Sequence, residues 1–339
     1  NNGPVVQEFE QRLAEYLDVK HCIAVTNATV GLEIVYEALG LQGEVIVPAF
    51  TFVATAHSAQ RMGLDVAFAD VSPVTHNIDP ASVERAITNR TTAILAVHLW
   101  GCPAPIEALT AIADDHGLQL VFDAAHAFGN HYQGRKLGSF GRAEVFSFHS
   151  TKFFNSFEGG AITTNDDDLA NVIKLKRGFG IKSNDNIVTL GTNAKMTEIC
   201  AAMGLVNLDN IDNVISTNME NYAAYADEFD SSGVGTMIEL TKEEATNHQY
   251  AVLTLADNSV ARRDDLLAFL EANNVMARKY FWPGCHNMEP YRSSPPVGGW
   301  DLPGTEDAAS RVVVLPTGTA VTPAECRRIA RACINFLRP

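Results

Sequence analysis

The sequence predicts an α/β protein with a mostly parallel sheet, and three observations support this fold class. Seven short runs of β-forming residues occur between residues 21 and 164, and most are continuous apolar runs, as expected for strands that are buried on both faces. Amphipathic helical segments such as 31–40 and 105–117 separate them, which is the alternation of β-α-β units. After residue 165 the rhythm changes to long helical stretches, which predicts a second, smaller α+β domain.

The predicted elements follow the chain in this order. The seven strands of the sheet lie at 21–26, 44–49, 65–70, 93–98, 118–123, 143–149 and 159–164. Helical stretches are predicted at 166–178 and 197–229, followed by strands around 248–255, 276–282 and 312–316, a helical stretch at 261–273 and a final helix from Pro323. The length of 339 residues suits about two domains, and we place the large domain at 1–230 and the small C-terminal domain at 231–339.

Composition and charge exclude several classes of protein. The 40 acidic and 25 basic side chains give a net charge of −15, which opposes general binding to the nucleic acid backbone. No stretch approaches the roughly 20 apolar residues of a membrane helix. The six cysteines are scattered and contain no Cys-x-x-Cys pair or zinc-type spacing. We therefore expect a protein of the reducing cytoplasm, without a bound metal, a membrane span or a nucleic acid partner.

Candidate functional residues follow the predicted strands, because ligands of an open parallel sheet bind beyond the carboxyl ends of its strands. The segment 26–29 opens a helix after the first strand, and its small and hydroxyl side chains suit either a phosphate site or an ordinary helix cap. Asp123 ends the fifth strand. Lys152 follows the sixth among three phenylalanines, where burial would lower its pKa and free a nucleophilic amine; a surface lysine is the alternative interpretation.

These groups together have the composition of a pyridoxal phosphate site. Such a site needs an amine that binds the cofactor aldehyde, and a carboxylate that keeps the ring nitrogen protonated so that the ring accepts electrons. It also needs an anion cradle and, commonly, an aromatic ring against the cofactor, for which Phe52 after the second strand is suited. Because all four elements lie at strand ends, the sequence predicts pyridoxal phosphate as the cofactor.

Longer motifs carry a specific resemblance. They are VTNATVGLE (25–33), VIVPAFTFVATAHS (45–58), DVSPVTHNIDP (70–80), AVHLWGCPAPIEAL (96–109), FDAAHAFG (122–129), SFHSTKFFNSFEGG (147–160), GTNAKMTEICAAMGL (191–205) and ARKYFWPGCHNMEPYR (277–292). On these motifs the chain resembles the DegT/DnrJ/EryC1/StrS family of fold-type-I, pyridoxal-phosphate-dependent sugar aminotransferases along nearly its whole length. The resemblance implies their fold, their cofactor and a homodimer with shared active sites.

The resemblance also implies roles for individual residues. Lys152 matches the lysine that binds the cofactor aldehyde, and Asp123 matches the carboxylate that pairs with the pyridine nitrogen. The other cofactor contacts that it implies are Ala28, Thr29 and Ser147 around the phosphate, Phe52 on one face of the ring, His126 at the ring or its hydroxyl, and Asn193, which reaches the phosphate from the neighbouring subunit. His126 is also predicted to be catalytic, with a core histidine as the alternative. The residues predicted to bind substrate are Lys195, Arg278, Tyr280 and His286.

The motif at 191–195 departs from the family pattern, as do Phe122 before Asp123 and Ala28 before Thr29, where family members commonly have glutamate and glycine. Many members read Gly-Tyr-Asn-Tyr-Arg where this chain has Gly-Thr-Asn-Ala-Lys at 191–195. Lys195 offers a single ammonium in place of a forked guanidinium, so the contacts of that arginine do not carry over to it. We nevertheless expect local positive potential in this acidic molecule, supplied by helix N-termini, Lys195 and Arg278.

The implied reaction is a transamination that passes through the pyridoxamine form of the cofactor. The combination of FDAAHAFG with GTN-x-KM-x-E is similar to the sub-branch that acts on dTDP-4-keto-6-deoxyglucose and makes viosamine-type sugars. It implies L-glutamate as amino donor and C-4 of that nucleotide sugar as acceptor. The alternatives are a C-3 ketosugar or keto-cyclitol acceptor, a sugar dehydratase, whose relatives carry histidine in place of Lys152, and a non-catalytic regulatory protein on the same fold.

Overall fold

A computed structural model describes residues 2–239 and 246–338, and helices and strands alternate through it. The helices are α1 (Pro4–Leu17), α2 (Ala28–Ala38), α3 (Ala54–Arg61), α4 (Pro80–Ala86), α5 (Ile106–His116), α6 (Asp167–Arg177), α7 (Glu198–Asp209), α8 (Ile211–Phe229), α9 (Arg263–Ala272), α10 (Pro303–Arg311) and α11 (Pro323–Leu337). The strands are β1 (His21–Val25), β2 (Glu44–Pro48), β3 (Asp65–Ala69), β4 (Thr91–Val97), β5 (Gln119–Asp123), β6 (His131–Tyr132), β7 (Arg135–Lys136), β8 (Ala143–Ser147), β9 (Gly160–Thr164), β10 (Ile181–Ser183), β11 (Asn186–Ile187), β12 (Gly235–Met237), β13 (Ala251–Leu255) and β14 (Val312–Leu315).

The central sheet contains seven strands in the order β1-β9-β8-β5-β4-β2-β3. Strand β9 runs antiparallel to both of its neighbours, β1 and β8. The other pairs, from β8 through β5, β4 and β2 to β3, are parallel. All seven strands predicted from the apolar runs form, and the mostly parallel sheet is confirmed. As a consequence, the carboxyl ends of β1, β2, β3, β4, β5 and β8 meet at one edge.

Helices cover both faces of this sheet, which explains the continuous apolar runs. On one face, α1, α5 and α7 pack on alternate strand residues that include Ile94, Phe122 and Phe146. On the other face, α2, α3 and α6 pack on the intervening residues, among them Val121 and Val145. Because side chains alternate along a strand, each of the two helical layers receives every second residue. The sheet is therefore the rigid platform at whose edge the loops are held.

Local signals set the ends of two of these helices as the sequence indicates. Helix α6 begins after Asp166, whose carboxylate accepts hydrogen bonds from the backbone N–H groups of Asp168 at 3.0 Å and Leu169 at 2.9 Å. Helix α5 ends at His116, and the next residue, Gly117, caps it with φ 66° and ψ 31°. That left-handed conformation suits glycine because it has no Cβ.

The C-terminal part of the chain forms a three-stranded antiparallel sheet in the order β12-β13-β14. This sheet packs with α8, α9 and α11 around a core of its own. A further apolar cluster joins the two parts of the molecule, with Phe50 and Trp100 from the large domain and Val252, Phe281 and Val314 from the small one. The boundary between residues 230 and 231 stays a prediction, and residues 1, 240–245 and 339 of the predicted domains lie outside the described residues.

Two predictions of secondary structure require correction. Residues 276–282 do not form a strand; Arg278 makes a single bridge with Val314, and the chain then turns, with the Trp282 N–H donating to the Lys279 carbonyl at 2.9 Å. The aromatic residues there look like β-formers, but Phe281 is instead buried in the cluster between the domains. The stretch 197–229 is two helices, α7 and α8, with a break at Asn210. Among the described residues, none of the helices has the length and apolar character needed to cross a membrane.

Candidate active site

A cavity of about 360 Å³ opens at the carboxyl ends of the parallel strands. The wall of this cavity contains the predicted residues Ala28, Thr29, Phe52, Asp123, His126, Ser147, Lys152 and Tyr280. It also contains residues that were not predicted from the sequence, among them Thr51, His149, Thr151, Glu158, Tyr250 and Phe281. The chain thus brings together, at one sheet edge, groups that are far apart in the sequence.

Asp123 is a buried carboxylate at the end of β5, only 6% exposed. Its Oδ2 accepts a hydrogen bond from Thr55 Oγ1 at 2.9 Å, and its Oδ1 accepts one from the Ala125 N–H at 3.1 Å. Burial raises the pKa of Asp123, while these two hydrogen bonds and the charge of Lys152 oppose the rise. Thr55 Oγ1 also lies 3.1 Å from Thr51 Oγ1, so the hydroxyl that contacts the carboxylate is itself held in place by a second hydroxyl.

Lys152 lies in the loop after β8, with its amine inside the cavity. Nζ lies 3.2 Å from Tyr250 Oη. Burial lowers the pKa of Lys152 to about 8, although the charges of Asp123 and Tyr280 raise it. A surface lysine with an ordinary pKa near 10.4 would be almost entirely protonated at neutral pH. The amine of Lys152 is therefore more available as a nucleophile, and its geometry does not fit the surface interpretation.

His126 is buried in an aromatic setting above the end of β5. Its Nδ1 accepts a hydrogen bond from the Trp100 backbone N–H at 3.2 Å. Because a backbone amide can only donate, Nδ1 carries no proton, and the neutral ring is protonated at Nε2. Burial and the nearby Lys152 charge lower the pKa of His126 well below its ordinary value. The side chain is thus a neutral hydrogen-bond donor in the cavity wall.

One end of the cavity is suited to an anion. Helix α2 begins there, and Asn27 Oδ1 accepts a hydrogen bond from the Val30 N–H at 2.9 Å. The first amides of a helix have no partner within it, so those of Ala28 and Thr29 remain to face a ligand at the positive end of the helix dipole. Ser147, at the end of β8, adds a hydroxyl to the same cavity wall. This end can bind a phosphate, as helix N-termini commonly do.

A cluster of three polar side chains lines another part of the cavity wall. His149 Nδ1 lies 2.9 Å from Thr151 Oγ1, and His149 Nε2 lies 3.3 Å from Glu158 Oε1. His149 and Glu158 are both partly accessible to solvent, with side chains 44% and 61% exposed. They can offer hydrogen-bond donors and an acceptor to a polar ligand that enters the cavity.

Two predicted residues near the β10–β11 hairpin do not line this cavity. Asn193 is exposed, and its Oδ1 accepts a hydrogen bond from Lys195 Nζ at 2.7 Å. The same ammonium lies 4.4 Å from the centre of the Phe179 ring. Since the predicted role of Asn193 is in the site of a neighbouring subunit, its position outside the cavity of its own chain leaves that role a prediction.

The C-terminal residues predicted to bind substrate differ in location. Tyr280 lines the cavity and is 37% exposed. Arg278 is exposed outside the cavity, where its guanidinium contacts Met276 Sδ at 3.5 Å. His286 is 3% exposed and also lies outside the lining, with Nε2 3.9 Å from Glu306 Oε1. The substrate roles of all three stay predictions, as does the local positive potential expected from Arg278 and Lys195.

The residues of the cavity fit pyridoxal phosphate by their chemistry. The α2 N-terminus suits a phosphate, the amine of Lys152 suits an aldehyde, and the buried carboxylate of Asp123 suits a protonated ring nitrogen. Phe52 and His126 supply flat side chains to the same wall. Of the predicted cofactor contacts, Asn193 alone lies outside this lining.

Comparison with known proteins agrees with this assignment. The sequence pattern of the DegT/DnrJ/EryC1/StrS aminotransferase family matches residues 1–333. A dTDP-4-amino-4,6-dideoxy-D-glucose transaminase from Shigella dysenteriae is 36% identical over 317 residues, which are 93% of this chain and 86% of the relative. A pleiotropic regulatory protein from Geobacillus stearothermophilus is also 36% identical over 317 residues, covering 93% of this chain and 84% of that protein.

A solved structure shows the same fold. DesI, crystallised in the presence of its TDP-sugar product, superposes with a TM-score of 0.94 at 45% identity, covering 99% of this chain and 86% of DesI. The fold-type-I prediction is therefore confirmed, and so is the predicted cofactor, because the family depends on pyridoxal phosphate. The chain belongs to the DegT/DnrJ/EryC1/StrS family of pyridoxal-phosphate-dependent aminotransferases.

Proposed function

We propose that this chain transfers the amino group of L-glutamate to C-4 of dTDP-4-keto-6-deoxyglucose, giving a dTDP-4-amino-4,6-dideoxyhexose. The observation that carries the proposal is the cavity that joins the amine of Lys152, the buried carboxylate of Asp123 and the N-terminus of α2. The named activity of the Shigella relative and the TDP-sugar product in whose presence DesI was crystallised support the choice of acceptor. The C-3 ketosugar and keto-cyclitol acceptors remain the alternatives within the same chemistry.

The residues of this chain divide the work of the reaction. When bound, the cofactor supplies an aldehyde and an electron-accepting ring. Lys152 would hold the cofactor through that aldehyde, and its free amine would serve as general base and acid toward the donor carbon. Asp123 would stabilise the proton on the ring nitrogen, and the first amides of α2 would hold the phosphate. His126, fixed as a neutral Nε2–H donor, orients the ring without changing its own charge.

Isotope transfer tests this assignment. The purified protein, incubated with ¹⁵N-labelled L-glutamate and dTDP-4-keto-6-deoxyglucose, is expected to release a nucleotide sugar with ¹⁵N at C-4, detected by mass spectrometry and NMR. Matched reactions use a C-3 ketosugar nucleotide and a keto-cyclitol. Preferred labelling of either alternative would reject the C-4 acceptor but keep the aminotransferase. Loss of a sugar hydroxyl without ¹⁵N uptake would favour a dehydratase, and no turnover on the whole panel would favour the regulatory alternative.

We also propose that the protein is a homodimer that shares its active sites. Apolar side chains are exposed on the β10–β11 hairpin, its flank and α7, with exposed fractions of 69% for Ile187, 78% for Leu190, 73% for Ile199 and 63% for Val206. An apolar surface of this kind is typical of an interface. The hairpin is connected directly to the segment that carries Asn193, so a second copy covering this face is the arrangement that would deliver Asn193 to a neighbouring cavity.

A charge-insertion experiment tests the dimer. The double variant Ile187→Asp with Leu190→Asp is expected to sediment as a monomer and to lose most of its activity, because unpaired carboxylates oppose burial of the face. Val74→Asp, at a side chain that is 76% exposed elsewhere on the surface, is the matched control and should leave both properties unchanged. A double variant that stays dimeric would place the interface elsewhere, and an active monomer would reject shared sites.

The cellular setting completes the proposal. All six cysteines are unpaired, and five of them are buried, as is usual in a protein of a reducing compartment. We therefore propose the cytoplasm as its location, with the nucleotide sugar, L-glutamate and a second copy of the chain as its partners.

A further inference from the structure

A short segment of the small domain lies across the catalytic loops. Residues 247–250, which we call the clamp segment, lead directly into β13. Asn247 Nδ2 donates to the carbonyls of His126 at 2.9 Å and Phe128 at 3.1 Å, and its backbone N–H donates to Asn130 Oδ1 at 2.7 Å. Asn247 is fully buried. The clamp segment is therefore fastened to the loop that follows Asp123.

The same segment is fastened to the lysine loop by Gln249. Its Oε1 accepts a hydrogen bond from the Phe153 N–H at 3.2 Å, immediately after Lys152 in the chain. Its Nε2 donates to the His126 carbonyl at 3.3 Å, and its own N–H donates to Asn247 Oδ1 at 3.0 Å. One amide side chain thus links the backbone of the His126 loop to that of the Lys152 loop.

Tyr250 is the member of the clamp segment that reaches the reacting group. Its Oη lies 3.2 Å from Lys152 Nζ and is the hydrogen-bond partner of that amine within residues 2–239 and 246–338. The charge of Asp123 raises the pKa of the amine. Among the described residues, however, no ion pair within 4 Å joins Asp123 to Lys152. The Tyr250 ring is fixed by contacts with His126, at 4.6 Å between ring centres, and Trp100, at 5.3 Å.

We propose that Tyr250 is a further catalytic residue, whose hydroxyl holds and aims the amine of Lys152 whenever that amine is not bound to the cofactor. The proposal rests on the role of Lys152 given above. A phenol suits both states of the amine, since its oxygen accepts from an ammonium and its O–H donates to a free amine. No proton leaves Tyr250 in this role, because burial keeps the pKa of the phenol above its ordinary value. The clamp segment serves to fix the tyrosine.

The first experiment measures the amine itself, in the full-length protein after removal of the cofactor. The variant is Tyr250→Phe, and the readout is acetylation of the Lys152 peptide by acetic anhydride as a function of pH. An ammonium loses more than a free amine when its hydrogen-bond acceptor is removed, because bonds to charged groups are stronger. We therefore expect the labelling midpoint, near pH 8 in the parent protein, to fall by about one unit in the variant.

The titratable groups around this amine set the design of the control. They are Asp123 on β5, His126 in the following loop, Tyr250 before β13, Tyr280 in the C-terminal part, and His149 and Glu158 in the cavity wall. None of these other groups is changed by Tyr250→Phe. Tyr225→Phe is the matched control, because it also removes a part-buried hydroxyl, one that donates to the Pro316 carbonyl at 2.9 Å in the small-domain core. The pH midpoint of Lys152 labelling should be unchanged in Tyr225→Phe.

The second experiment follows the half-reaction of the holoenzyme with L-glutamate alone, by the loss of yellow absorbance. We expect Tyr250→Phe to slow this single turnover about tenfold or more, which is less than the roughly 10²- to 10⁴-fold contribution of a general acid–base itself, because Lys152 is still present. Tyr225→Phe should react at the parent rate. An unchanged midpoint or an unchanged single-turnover rate in Tyr250→Phe would overturn the role of Tyr250. A parent protein that shows no cofactor on Lys152 would instead overturn the role of Lys152.

Discussion

Lys152→Ala is expected to reduce transamination by roughly 10³-fold or more, since it removes both the nucleophile and the proton carrier of the reaction. Binding of the phosphate should persist, because the N-terminus of α2 is untouched. Borohydride reduction of the parent protein should fix the cofactor on the peptide that contains Lys152, and the variant should give no such adduct. Peptide mass spectrometry and a steady-state assay measure the two effects.

A lysine elsewhere on the large domain provides the control for this variant. Lys174 is exposed on α6, away from the cavity, so Lys174→Ala should keep the adduct and the parent turnover. Added methylamine is expected to restore part of the activity of Lys152→Ala, since a small amine fits the space that the side chain leaves. Full activity in Lys152→Ala, or an adduct on another lysine, would show that Lys152 does not bind the cofactor.

Asp123→Asn should lower turnover by roughly 10²- to 10³-fold, because a neutral amide cannot stabilise a protonated ring nitrogen in a buried site. The cofactor should stay bound, since the phosphate and aldehyde contacts remain. The melting temperature should not fall, because a buried carboxylate is costly to desolvate and an amide of the same shape is less so. Absorbance at saturating L-glutamate and thermal unfolding separate these effects.

Asp167→Asn is the matched substitution on the surface, at the start of α6, and is expected to leave turnover unchanged. The role of Asp123 would be rejected by near-parent turnover in Asp123→Asn. It would also be rejected if Asp123→Asn unfolded at a much lower temperature with the cofactor lost, because the carboxylate would then serve the fold and not the ring nitrogen.

The strand ends could be predicted from the sequence because each buried parallel strand is a continuous run of apolar residues. Asp123, Ser147 and Lys152 each follow an apolar run whose burial on both faces can be read from neighbouring residues alone. The carboxyl ends of parallel strands then meet without further information. Seven predicted site residues consequently line one cavity, and Tyr280 reaches the same cavity from the C-terminal part of the chain.

Contacts that depend on tertiary packing have no comparable local sequence pattern. Tyr250 lies 98 residues from Lys152 along the chain, and nothing in its local pattern distinguishes it from a core tyrosine. The sequence around Thr55 predicts only a helix, and its hydrogen bond to Asp123 depends on the tertiary fold. The predicted strand at 276–282 was wrong for the same reason, because Phe281 packs in the cluster between the domains and not in a sheet. Asn193 stays a prediction because its role depends on a second chain.

The apolar cluster between the domains has a consequence for how substrates come and go. Phe50 and Trp100 interleave with Val252 and Phe281, so parting the domains would bring large apolar side chains into water. A hinge that opens and closes with each turnover would repeat that penalty in every cycle. In the proposed reaction, glutamate, sugar nucleotide and product would therefore enter and leave through the open side of the cavity, while this cluster stays packed.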